Sequence, residues 1–121
     1  MREQLVSVKI ARLAKEKGFN HKCKTAYLSN TVGLYHSEFY LNYDINGCVV
    51  PTQSLLQKWL RETHSIYAEA RVLCDIDNDK MFHSPFVNNR IVLHDNRLNK
   101  YSTYEQALST ALIKSLELIN H

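Results

Sequence analysis

The feature that most constrains this fold is a change of hydrophobic period in the middle of the chain. From Pro51 the sequence reads PTQSLLQKWLRETHSI, and Leu55, Leu56, Trp59, Leu60 and Thr63 fall on one continuous arc of a helical wheel. The next stretch, SIYAEARVLCDI, alternates instead, with Ile66, Ala68, Ala70, Val72 and Cys74 on one side and Tyr67, Glu69, Arg71 and Leu73 on the other. The two periods predict a helix followed by a half-buried strand. Thr52, after Pro51, is placed to cap the helix through its hydroxyl. Lys58 and Arg61 project from the polar side with Ser54 and Gln57. Trp59 lies in the middle of the arc, where an indole flanked by leucines packs against a sheet more readily than it stacks on a ligand. The expected core is Trp59, Leu55, Leu56 and Leu60, joined by Leu108 and Leu112 from the last helix.

That last helix has its start signal in STYE, a capping box of Ser102 and Glu105. Tyr104, Ala107, Leu108, Ala111, Leu112, Leu116 and Ile119 then cover about half the wheel. Ile113 points to the opposite side, which together with the broad stripe raises the odds of a homodimer through this helix. At the other end of the chain a helix is expected from Glu3 to Lys17, stopped by Gly18, with Val6, Ile10, Leu13 and Ala14 on one face and Lys9, Arg12 and Lys15 across the other. Between Thr25 and Val50 short aromatic runs are broken by NTVG at Asn30 and NG at Asn46. Phe39, Leu41, Tyr43 and Ile45 alternate with polar neighbours as in a strand. Further extended pieces are expected at Met81–Val87 and, in RIVLHD, at Arg90–Asp95, with polar turns at Asp77-Asn78-Asp79 and in DNRLN. The order helix, short strands, helix, strands, helix predicts an α+β fold with a small antiparallel sheet packed by three helices. A length of 121 residues fits one domain with a core that needs no staples.

Motifs that would name a reaction are missing. His21-Lys22-Cys23 brings an imidazole near a thiol, but zinc needs four ligands and no second pair stands at ligand spacing among Cys48, Cys74, His64, His83 and His94. Asp75, Asp77 and Asp79 open like a calcium loop, yet Lys80 and Phe86 occupy the positions that need glycine and glutamate. GxSxG, HExxH and a phosphate-cradling glycine loop are all absent from the sequence. The reading is therefore a non-enzyme with no cofactor and no metal.

Charge is unevenly spread. Residues 1–24 carry seven cations against Glu3 and Glu16, a net of +5, whereas the rest carries eight cations against ten acids, a net of −2. Such asymmetry suits an anionic partner for the first helix. Tyr27, Tyr35 and Tyr40 lie in an aromatic segment without interleaved cations, which favours a protein partner over nucleic acid. The expected partner-binding set is Lys9, Arg12, Lys15, Tyr27, Tyr35 and Tyr40, with nucleic-acid binding or regulation through the same cations as the alternative. Three widely spaced cysteines fit a reducing compartment, and no apolar run reaches membrane-spanning length, so the expected setting is the cytoplasm with no membrane contact.

Three segments together, KIARLAKEKGFN, PTQSLLQKWLRETHSI and YSTYEQALSTALIKSLELI, resemble a set of small uncharacterised proteins of gut bacteria and their phages or prophages. Those proteins share a leading LAKEKGF-like helix, a PTQSLLQKWLRE segment and a closing TYEEAL helix, and Gln106 stands here where they often have glutamate. The resemblance implies a phage-related or mobile-element origin. It carries no activity and no site residue with it.

Overall fold

The computed structural model describes residues 4–21, 23–28, 34–41, 47–77, 79–94 and 97–119, with backbone alone for 24–28, 34–41, 47–48 and 94. Within these residues the chain is α+β. It holds three helices, α1 (Val8–Glu16), α2 (Gln53–His64) and α3 (Tyr104–Glu117), and eight short strands paired antiparallel throughout. Two compact units divide it, Met1–Leu56 and Gln57–Asn120, and the division falls inside α2.

In the first unit α1 begins at Val8, later than the Glu3 expected from the pattern. The reason is competition for the backbone. Leu5 bridges to Thr52, with Val6 N–H donating to the Pro51 carbonyl (3.0 Å) and Gln53 N–H to the Gln4 carbonyl (2.8 Å). Residues 4–6 are thereby held extended, and Ser7 becomes the cap, its hydroxyl accepting from Ile10 N–H at 3.2 Å. Val6 is buried from this extended segment instead of from the helix, while α1 buries Ile10, Ala11 and Ala14. The helix stops where the sequence indicates. Gly18 takes φ +97°, Gly18 N–H donates to Lys15 C=O and Phe19 N–H to Ala14 C=O, the paired bonds of a Schellman end. Phe19 is buried beyond it. Strands β1 (Cys23–Leu28), β2 (Leu34–Leu41) and β3 (Gly47–Val49) form a sheet in the order β2-β1-β3, and α1 lies against β3. The expected strand residues Tyr43 and Ile45, the NTVG turn and Asn46 fall outside the described residues.

Helix α2 is capped as expected, Leu55 N–H donating to Thr52 Oγ1 at 3.2 Å. Its buried arc is Gln53, Leu56, Trp59 and Leu60, so Leu55 at the edge is half-buried and Thr63 in the last turn is exposed. Ser65 turns the chain with φ +56°, and the N–H of buried Ile66 donates back to the Leu60 carbonyl.

The second unit is built on β5 (Lys80–Val87), the central strand between β4 (Ala68–Asp75) and β6 (Arg90–Ile91). A two-residue loop joins β5 to β6: Asn88 and Asn89 both have positive φ, 52° and 66°, as a type I′ turn requires. Pro85 sits within β5 opposite Ala70, and its carbonyl accepts from Val92 N–H at 2.9 Å. Having no N–H, it cannot return the bond, so the expected RIVLHD strand breaks at Val92 into β6 and β7 (Leu93–His94). Asn99 supplies the missing donor, its Nδ2 reaching the Val92 carbonyl at 2.9 Å. The stretch DNRLN is more than a turn, because Arg97 and Leu98 form β8 and pair with His94 and Leu93.

Helix α3 covers one face of the β4–β5 hairpin. Tyr101 exchanges two backbone bonds with His83, which holds the chain extended past the expected cap at Ser102. Thr103 caps instead, accepting from Gln106 N–H at 3.2 Å, and Ser102 donates to Gln106 Oε1. Ala107, Leu108, Ala111, Leu112, Ser115 and Leu116 are buried. Each buried leucine contributes roughly 1.5–3 kcal/mol. The Ser115 hydroxyl donates to the Ala111 carbonyl at 2.7 Å, so this polar group inside the core is satisfied. Tyr104, expected on the apolar face, is 42% exposed at the start of the helix.

Candidate functional site

The two faces of the β4–β5 hairpin are finished differently. On one face Phe86 lies under the Arg71 guanidinium, 4.3 Å from ring centroid to Cζ, and Phe82 under the Lys100 ammonium at 5.2 Å. Arg71 also bonds Glu69 and Asn89, and Lys100 pairs with Asp75 at 3.0 Å. These rings are half-buried, their surfaces shielded by the stems and heads of cations that have their own partners. Asp75 also accepts from Asp77 N–H, the bond of an Asx turn. Two bonds local to the hairpin and its neighbour thus account for the carboxylate that opens the DIDND run.

The other face carries the row Ala68, Ala70, Val72 and Cys74, opposite Val87, Pro85, His83 and Met81. Ala68, Pro85 and Val87 are buried in the region where α3 packs. The alternation expected from the sequence is present, but its burial runs out halfway. Val72 is 52% exposed, Met81 66% and Ile76, in the turn, 92%; Cys74 is exposed as well. Geometry explains the change. Tyr104, the first residue of α3, meets His83 edge-on at 6.4 Å, so the helix begins beside the His83–Val72 pair, which leaves Val72 at its margin and the Cys74–Met81 pair past its end. The His83 Nδ1 is buried there without a hydrogen-bond partner among the described residues. What remains is an exposed apolar strip on this face, the pair Val72 and Met81, edged by Tyr104, with Ile76 exposed in the turn that follows β4. Sequence alternation identified the strip's side of the strand; only the position of α3 shows where its cover stops.

The expected partner-binding residues belong to the first unit. Lys9 and Arg12 are exposed on α1, and Lys15 is half-buried in its last turn, where a cation suits the negative end of the helix. Tyr27 lies in β1 and Tyr35 and Tyr40 in β2, each with only its backbone described. Of the expected core, Trp59 is 4% exposed with its ring edge-on to His64 at 4.8 Å, Leu56, Leu60, Leu108 and Leu112 are buried, and Leu55 is half-buried. Burial pushes the Cys23 thiol up to about 11, and its Sγ lies 3.7 Å from the His21 carbonyl.

Among the described residues no group of three His, Cys, Asp or Glu side chains is placed to hold a metal ion, and no helix is long and apolar enough to cross a membrane. No family model matches the chain, and neither a curated protein nor a solved structure does. The fold class therefore stands on the geometry alone.

Proposed function

We propose that this chain is a non-catalytic interaction protein that docks a protein partner on the uncovered end of the β4–β5 hairpin. The supporting observation is the half-covered face itself. One row of side chains is buried beside α3 at Ala68 and Val87 and open at Val72 and Met81, while the rings on the opposite face are shielded by Arg71 and Lys100. Exposed apolar groups gathered at one place mark an interaction surface more often than scattered ones do.

Capture of the tagged protein's partners from bacterial lysate, with and without nuclease, tests this reading. Val72→Asp combined with Met81→Asp is expected to abolish a nuclease-resistant protein partner while lowering the melting temperature by only a few degrees, since both side chains are more than half exposed. Capture that survives the double substitution would remove the strip from consideration. A second reading, nucleic-acid binding through α1, is supported by the exposure of Lys9 and Arg12. It predicts nuclease-sensitive capture. The phage or mobile-element setting implied by the sequence resemblance makes a gut-bacterial host the lysate of choice.

A further inference from the structure

At the opposite end of the sheet from the hairpin turn, a groove of about 690 Å³ runs between the end of α3 and the chain from Val87 to Leu93. We propose that it binds a small amphipathic anion, a carboxylate or sulfonate carried on an apolar tail. Its size is that of ordinary small-molecule sites, roughly 300–1,000 Å³. Ile91, Val92 and Leu93 line one wall and Leu118 the other, with Leu93 47% and Leu118 49% exposed. One cation stands on each wall, Arg90 from β6 and Lys114 from α3, and among the described residues no carboxylate lines the groove.

The electrostatics select the head group. Arg90 and Lys114 are both exposed, and neither has an ion-pair partner among the described residues. Arg71 and Lys100 on the same unit are each paired with an acid. Two like charges lining one hollow raise its potential and favour an anion there. The walls select the tail. Inorganic phosphate would use the cations and leave Leu93 and Leu118 in water, whereas a neutral alkyl chain would leave both charges uncompensated. An anion with an apolar chain meets both requirements. Arg90 would give a planar fork to its oxygens and Lys114 a point charge. This site is independent of the docking strip, which occupies the other end of β5.

Titration of the intact ¹⁵N-labelled protein with decanoate, below its micelle concentration, tests the proposal by amide chemical shifts. Saturable shifts confined to residues 90–93 and 114–118 are expected. Arg90→Gln with Lys114→Gln should weaken decanoate by roughly tenfold or more, the worth of one charge-assisted contact. Reversal of both charges to glutamate should exchange the preference for decyltrimethylammonium. The exposure of both side chains lets these variants keep the parent spectrum elsewhere, which the same spectra check. The proposal is overturned if decanoate gives no saturable shift in the groove, if the neutralised variant binds it equally well, or if decyltrimethylammonium shifts the parent groove as strongly.

Discussion

Trp59 and Cys23 are both buried, and they make different demands on their surroundings. Trp59→Ala removes the largest side chain of the α2 arc and should cost about 3–5 kcal/mol, read from the urea midpoint. A near-neutral result would return the indole to the role of a docking aromatic. Leu55→Ala, from a half-buried site, should cost clearly less in the same assay. Cys23 makes a prediction about pH. Below the thiol's ordinary value of 9.0 the folded and unfolded chains both hold the proton; above it the unfolded chain releases the proton while the folded thiol, raised to about 11, retains it. Stability therefore falls as pH rises through that window. The difference in stability between the parent and Cys23→Ala should narrow over the same range, and alkylation should reach exposed Cys74 well before Cys23. The sequence revealed Trp59's burial because its neighbours repeat with the helical period. It could not reveal that of Cys23, whose setting depends on tertiary packing.

Elements were legible where a local signal acts alone and obscure where two compete. Thr52 and Gly18 end their helices as their chemistry requires, because nothing else claims the same backbone groups. The starts of α1 and α3 moved because distant chain does claim them, Pro51–Gln53 in one case and His83 in the other. Ser102 and Thr103 both fit the capping pattern, and the His83–Tyr101 bridge decides between them. The partnership of Pro85 and Asn99 was equally out of reach, since a side chain stands in for a backbone donor fourteen residues away. Asn99→Ala leaves the Val92 carbonyl without that donor and should destabilise the second unit by about 1–3 kcal/mol. Hydrogen exchange provides the measurement: protection should fall first in β5 and β6. Loss of protection confined to α1 would contradict the role assigned to Asn99. The docking strip divides in the same way, its alternation visible in sequence and its exposure set by where α3 begins.

For the molecule as a whole, charge is the property that sequence conveys most completely. Changing Lys9, Arg12 and Lys15 together to Glu moves the formal net charge from +3 to −3, at positions outside the buried face of α1. If α1 contacts nucleic acid, the logarithm of the affinity should fall with the logarithm of salt concentration at a slope near −0.9 per phosphate contact on duplex DNA, and the triple substitution should abolish binding without unfolding the chain. A protein partner held at Val72 and Met81 should be far less sensitive to salt and indifferent to the α1 substitutions. Fluorescence titrations at several ionic strengths separate the two.

Strand β5 has one further consequence, in time instead of space. Among the described residues its backbone partners come from nearby chain: β4, which ends five positions before β5 begins, β6 through the Asn88-Asn89 turn, and Tyr101 eighteen residues beyond His83. None of these pairings has to wait for a long loop to close, and loop closure is what slows the assembly of most sheets. The sheet of the second unit can therefore form early, while the chain that follows is still searching, and present α3 with a finished surface on which to fold.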